Sequence, residues 1–163
     1  METKINRAAP VFVPYDTLSG RERYIACYED AWRTAHGSLR GFQPDSCWRA
    51  ALIRASEDAE ALTEMRSDGR FAGLLALDVR RGGYRGIGWI ALCYVVPELR
   101  GRGLGTALIE RAGETFRERG RRFLRLTVAP GNPALTFYQK LGFSRVGTEA
   151  GAFEDLFVME RKL

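Results

Sequence analysis

The chain has 163 residues and a mass of 18.3 kDa, which suits one domain that buries roughly two thirds of its extended-chain surface without a metal or disulfide staple. Hydrophobic residues at 45% and charged residues at 28% exclude a disordered or fibrous chain. Lys and Arg total 25 against 20 Asp and Glu, a net +5. That excess is too modest and, apart from Arg100 to Arg102 and Arg117 to Arg125, too dispersed for a nucleic-acid binder, so no nucleic-acid partner is expected.

Cys27, Cys47 and Cys93 form neither a metal-ligand cluster nor an even disulfide set, and their apolar neighbours read as surroundings of buried thiols. No metal is expected. Met1 to Pro10 is polar and lacks the apolar segment of a secretory leader. No run approaches the roughly 20 apolar residues of a membrane span, so no membrane partner and a cytoplasmic location are expected.

Phe12-Val13 reads as a short edge strand. From Arg21 the spacing turns helical, with Ile25, Tyr28, Trp32 and Ala35 on one face, until Gly37 and Gly41 interrupt it. Asp45 or Ser46 can cap a second helix lined by Trp48, Ala51, Leu52, Ala55 and Ala59. A meander follows: a strand from Ala61 to Arg66, an Asp68-Gly69 turn, a strand from Phe71 to Val79, and a third from Ile87 to Val96. In that third strand Trp89, Ala91, Cys93 and Val95 alternate with Ile90, Leu92, Tyr94 and Val96. Neither set is polar, so the strand belongs in the sheet centre, covered on both faces.

Pro97 ends the run because it has no N–H to give a ladder. Gly103 to Glu118 reads as a helix with Leu104, Ala107, Leu108, Ala112 and Phe116 along its apolar stripe. Phe123 to Val128 is a strand, Pro133 to Leu141 a short helix stopped by Gly142, and Ser144 to Thr148 and Phe153 to Glu160 are the last strands. The order specifies a single α/β domain of three layers.

The most informative stretch runs from Val95 to Thr106: a central strand, a loop with Gly101, Gly103 and Gly105, and a helix that starts inside the loop. Glycines permit tight turns and close ligand approach. The free N–H groups and dipole of the first helical turn favour an anion, and Arg100 and Arg102 add charged donors. Such a nest suits a pyrophosphate, against the alternative of a merely structural glycine loop. The glycine register departs from the dinucleotide fingerprint, and no Gly-Lys-Ser/Thr ending marks a kinase-type phosphate loop.

Arg100-x-x-Gly103-x-Gly105 resembles the cofactor signature of the GCN5-related N-acetyltransferases, Arg/Gln-x-x-Gly-x-Gly/Ala. Downstream, Asn132 to Phe143 resembles the same family's Asn…Ala…Tyr-x-x-x-Gly-Phe block. The resemblance extends from about Ile25 to the C-terminus. It implies an α-β-α layered fold whose central sheet, mixed and mostly antiparallel, splays at the cofactor site. It also implies acetyl-coenzyme A as acyl donor and an acetyl transfer to a primary amine by direct attack in a ternary complex. The acceptor would be a small molecule or a peptide or protein amine. The alternative is a module of the same fold that binds acyl-coenzyme A without turnover.

On this resemblance the cofactor sits between the strand ending at Val96 and the strand from Phe123 to Val128. Its pantetheine arm adds to backbone atoms of Cys93, Tyr94 and Val95. The pyrophosphate lies on Gly101, Arg102, Gly103, Leu104, Gly105 and Thr106, after Arg100. Tyr138 stands where the family's general acid often does. A phenol with a pKa near 10 stays protonated at neutral pH, although Leu135, Tyr138 and Leu141 at helical spacing also suit a core. Asn132 either contacts the cofactor arm or caps the helix begun by Pro133. Many relatives carry a carboxylate on the central strand as base. Here Trp89 to Val96 has none, Leu92 standing where one is expected. The candidates elsewhere are Glu64, Asp78, Asp155 and His36, or a water chain in place of a side chain, with His36 alternatively a surface residue without a role. Trp32, His36, Phe42, Trp48, Phe153 and Phe157 are candidate walls of the acceptor pocket, or simply core. The family habit of pairing, and an apolar run from Phe153 to Met159 on an expected sheet edge, point to a homodimer.

Overall fold

The computed structural model describes residues 8–163. Their elements run β1 (Val11–Pro14), α1 (Arg21–His36), α2 (Pro44–Glu57), β2 (Leu62–Ser67), β3 (Arg70–Asp78), β4 (Ile87–Val95), α3 (Leu104–Glu118), β5 (Phe123–Val128), α4 (Ala134–Lys140), β6 (Ser144–Ala150) and β7 (Asp155–Lys162). All seven strands form one sheet in the order β1-β2-β3-β4-β5-β7-β6. Every neighbouring pair is antiparallel except β4 with β5. The expected α/β architecture with a mixed, mostly antiparallel sheet is the one observed, with β1 on an edge.

Each face of the sheet carries its own core. Leu104, Leu108, Ile109, Ala112 and Phe116 of α3, with Leu135, Phe137, Tyr138 and Leu141 around α4, pack on one face against Leu75, Leu77, Leu124, Leu126 and Met159. Tyr24 and Cys27 of α1 and Trp48 and Ala51 of α2 pack on the other against Leu62, Leu74, Ala76, Leu92 and Tyr94. The α1 stripe is therefore rotated from the expected one: Tyr24 and Cys27 are buried, while Ile25 and Trp32 are only partly covered. In α2 the start also moves. Pro44 takes the first helical position behind Gln43, where its missing N–H costs nothing, so neither Asp45 nor Ser46 is the cap. Ala59 lies past the helix end, and Leu52 is 39% exposed.

The alternation expected along β4 is broken. Ala76 and Leu77, adjacent in β3, face Leu92 and Ile90 in β4, which leaves Ala91 as an extra residue. This bulge flips the phase of the strand. Ile90, Cys93 and Val95 lie with the α3 core, whereas Ala91, Leu92 and Tyr94 lie with the α1 core. A bulge also bends its strand. Consistently, β4 pairs with β5 only through Ile87, Gly88 and Trp89, opposite Phe123, Leu124 and Arg125. Past that point the two strands part.

The final strands correct another expectation. β7 is paired on both sides, to β5 and to β6, so the edge belongs to β6. Every residue of β6 except the partly covered Glu149 is exposed. The premise for a dimer through an open β7 edge therefore fails. No helix among the described residues is long and apolar enough to cross a membrane.

Gly88 lies at the last stretch of β4–β5 pairing, with the fully buried Phe116 ring of α3 pressed against it. A Cβ built at Gly88 would stand inside that ring. Gly88→Ala is expected to destabilise the fold by about 1–3 kcal/mol through overpacking, measured as a lowered urea midpoint at constant m. A midpoint equal to the parent's would show that this junction is slack.

Candidate functional site

The parting of β4 and β5 opens a cavity of about 550 Å³. Its walls are Cys93, Tyr94 and Val95 from β4, Arg100, Gly101, Gly103, Gly105 and Thr106 from the loop and the start of α3, Asn132 to Ala134, Phe137 and Tyr138 around α4, and Ala31 and Thr34 from α1. Ten of the twelve residues singled out above thus meet at one place: Cys93, Tyr94, Val95, Arg100, Gly101, Gly103, Gly105, Thr106, Asn132 and Tyr138. Leu104 and Arg102 do not. The Leu104 side chain turns into the α3 core, and both residues line a second cavity of about 530 Å³ beside Ser67, Arg70 and Leu99.

Local backbone chemistry explains the loop. Val96 gives its N–H to Ala72, and a single 3₁₀ turn over Pro97–Leu99 then swings the chain away from the sheet. Gly101 and Gly103 adopt φ of +73° and +82°, a region that costs a Cβ-bearing residue roughly 1 kcal/mol or more. Neither has a heavy atom within 4 Å of where its Cβ would be, and both line the cavity. Gly103 directly precedes α3, so the first N–H groups of that helix lack intrahelical partners by construction.

Arg100 is not free. Its Nε donates to the Val95 carbonyl at 2.9 Å, and its Nη2 donates to Asp30 Oδ2 at 2.8 Å. The Tyr94 hydroxyl donates to the same Asp30 oxygen at 2.8 Å. Burial and this hydrogen bond push the Tyr94 phenol well above its ordinary value. Asp30, on α1, escaped the sequence reading because nothing in its local pattern marks it. A polar residue near the middle of an amphipathic helix reads as solvated surface.

Tyr138 is half-buried, its ring 5.3 Å from Phe137 and 5.9 Å from Phe143. Burial, with Cys93 nearby, pushes its phenol far above 10. Tyr138 lines the cavity, and among the described residues its hydroxyl makes no hydrogen bond. Burial likewise pushes the Cys93 thiol up to about 12 and Cys27 up to about 11, and all three cysteines are free. Asn132, which lines the cavity, accepts the Ala134 N–H on its Oδ1 at 2.9 Å, and this bond caps the start of α4.

None of the proposed bases lines the cavity. Glu64 is buried on β2, paired with Arg66 at 2.6 Å and Arg23 at 3.6 Å. Asp78 accepts the backbone N–H groups of Arg80 and Arg81. Asp155 is exposed at the start of β7. His36 is not a surface histidine: its side chain is 8% exposed, its Nδ1 lies 2.7 Å from Glu154 Oε1, and Trp32 and Phe153 flank its ring. Trp32, His36, Phe42 and Phe153 form a cluster that ties the α1–α2 loop to the β6–β7 loop. Trp48 instead belongs to the core with Tyr24, and Phe157 packs on the α3 side under Arg145.

The sequence and the fold are similar to those of known proteins. An uncharacterized N-acetyltransferase of Methanocaldococcus jannaschii is 38% identical over 96 residues, covering 56% of this chain and 42% of that protein. A mycothiol acetyltransferase of Paenarthrobacter aurescens is 33% identical over 131 residues, covering 74% of this chain and 41% of that protein. The chain thus spans less than half the length of these curated relatives. The crystal structure of PaiA N-acetyltransferase from Thermoplasma acidophilum in complex with coenzyme A superposes with a TM-score of 0.71 at 18% identity, covering 96% of this chain and all of that one. The sequence profile of the acetyltransferase (GNAT) family matches residues 20–143. The chain belongs to the acetyltransferase (GNAT) family.

Proposed function

We propose that this chain takes an acetyl group from acetyl-coenzyme A to a primary amine of a small molecule, peptide or protein, by direct attack within a ternary complex. One observation carries the reading: the cavity between β4 and β5 brings an open strand edge, an open glycine loop and a protonated phenol to one place.

The residues fit the donor. An extended amide-bearing arm can add to the β4 edge past Trp89, where β5 no longer supplies a partner. A pyrophosphate fits over Gly101 and Gly103, where no side chain intrudes, against the first turn of α3. Gly101, Gly103, Gly105 and Thr106 line that surface, and Asn132 offers its amide NH₂ to the arm. Arg102, Leu104 and Arg100 act differently from one another: Leu104 anchors the helix start in the core, Arg102 approaches from the second cavity, and Arg100 stays tied to Val95 and Asp30. Val96 gives its N–H to Ala72 of β3, so by strand alternation Tyr94 also turns its backbone groups to β3, contrary to expectation. The arm bonds at Cys93 and at the Val95 N–H, the Val95 carbonyl being held by Arg100.

When bound, the donor supplies an activated acetyl thioester. The chain's part is to position it, exclude water and hold a proton at Tyr138 Oη for the departing sulfur. A pKa far above 10 keeps that proton in place throughout neutral and moderately alkaline pH, since an acid is loaded below its pKa. Cys93, a thiol with its pKa near 12, is a poor nucleophile at neutral pH. That supports direct attack by the amine over relay through a cysteine. Tyr138 on the wall of the same cavity supports an active enzyme over a binding module without turnover.

Acetyl-coenzyme A is expected to raise the thermal midpoint of the parent by binding the folded state. Gly103→Val, strained by about 1–3 kcal/mol at a positive φ and placing methyl groups over the loop, is expected to fold and to lose the shift. An undiminished shift in differential scanning fluorimetry would remove this loop from the site. Tyr138→Phe keeps the ring and deletes the proton. Its turnover in a thiol-release assay with an amine panel is expected to fall roughly 10²- to 10⁴-fold, with coenzyme affinity nearly unchanged. Turnover within about threefold of the parent's would return Tyr138 to the core.

A further inference from the structure

Asp30 is the one carboxylate among the described residues that hydrogen-bonds to two cavity-lining side chains, Arg100 and Tyr94. It belongs to the face of α1 that turns to the cavity: Thr34, four residues on, and Ala31 both line it. Its Oδ2 receives the Arg100 guanidinium and the Tyr94 hydroxyl together, each at 2.8 Å. Arg100 is further fixed by its Nε on Val95 and by its position 5.5 Å above the Tyr94 ring. This arginine stands directly before Gly101, so the network sets where the glycine loop leaves β4.

Resting on the acetyl-coenzyme A reading, we propose that Asp30 is a positioning residue for the donor, holding Arg100 against β4 so that the loop is preformed for a pyrophosphate. One bond joins α1 to the loop, and a second joins α1 to the strand that receives the pantetheine arm. The wall carrying Ala31 and Thr34 is thereby locked to the donor site. Arg100 also occupies the Val95 carbonyl, which leaves the Val95 N–H as the last group of β4 open to the arm.

The sign of the effect separates this role from plain electrostatics. Asp30 and Arg100 are 38% and 43% exposed, and an ordinary exposed ion pair contributes little to stability. A carboxylate near a polyanionic ligand should, by charge alone, oppose binding, so neutralising it would tighten the complex. Positioning requires the reverse. In calorimetric titration with coenzyme A, Asp30→Asn is expected to bind about tenfold more weakly, the usual worth of a charge-assisted hydrogen bond, with the thermal midpoint of the free protein little changed. Tyr94→Phe, which keeps the ring and removes one of the two bonds to Asp30, is expected to weaken binding about threefold. The Asp30→Asn/Arg100→Gln double variant is expected to bind no more than about twofold worse than the weaker single variant, because the two residues act as one unit. Equal or tighter binding by Asp30→Asn, or full additivity in the double variant, overturns the inference. Failure of the parent itself to bind coenzyme A would instead overturn the donor reading on which it rests.

Discussion

The structure turns on an interrupted strand. Ala91 is an extra residue in β4, and the bend that it makes lets β4 keep its parallel partner for only three residues. Backbone N–H and C=O groups that sit under packed helices without a partner cost about 1–3 kcal/mol each. A sheet that opens in its middle therefore holds a strong local demand for donors and acceptors. Here α1 packs on one face of the sheet and α3 with α4 on the other.

The same opening explains why the loop and Tyr138 belong to one site although 38 positions separate Arg100 from Tyr138 in the chain. β4 delivers its C-terminal end to the loop, and β5 delivers its own to α4. The two strands are parallel, so both ends reach the same side of the sheet. Phe116 pressed on Gly88 holds the strands together just before they diverge. At the other end of α3, Arg119 bonds Asp58 through two nitrogens and also reaches Glu60. Burial alone would raise the Asp58 carboxyl, but the hydrogen bonds from Arg119 and the Glu60 N–H hold it below its ordinary value. The helix whose first turn faces the cavity is thus anchored by packing along its length and by ions at its end.

Charge in the cavity is distributed unevenly. The glycine loop offers backbone donors, while its neighbouring arginine is already neutralised by Asp30. The titratable groups toward α4, Tyr138 and Cys93, are held in their neutral forms by burial. An anionic segment is favoured at one end and uncharged proton chemistry at the other. That polarity suits a donor with a phosphate tail and a thioester head. The cluster of Trp32, His36, Phe42 and Phe153, joined through His36 and Glu154, closes the α1–α2 and β6–β7 loops on each other.

Periodicity and punctuation alone determined most of the elements. β5 is bounded as expected because Gly120 and the loop after Val128 delimit a clean run, and the Arg100-to-Thr106 loop was legible because glycine spacing directly encodes backbone freedom. Tertiary structure decided what depends on long-range pairing. The Ala91 bulge leaves no local trace, since a continuous apolar run looks the same with or without an extra residue. Whether β7 or β6 forms the edge was settled by β7 inserting beside β5, which no property of either strand announces. Asp30 and His36 acquired partners 70 and 118 positions away, and only the fold could turn two ordinary helix-surface residues into partners of Arg100 and Glu154.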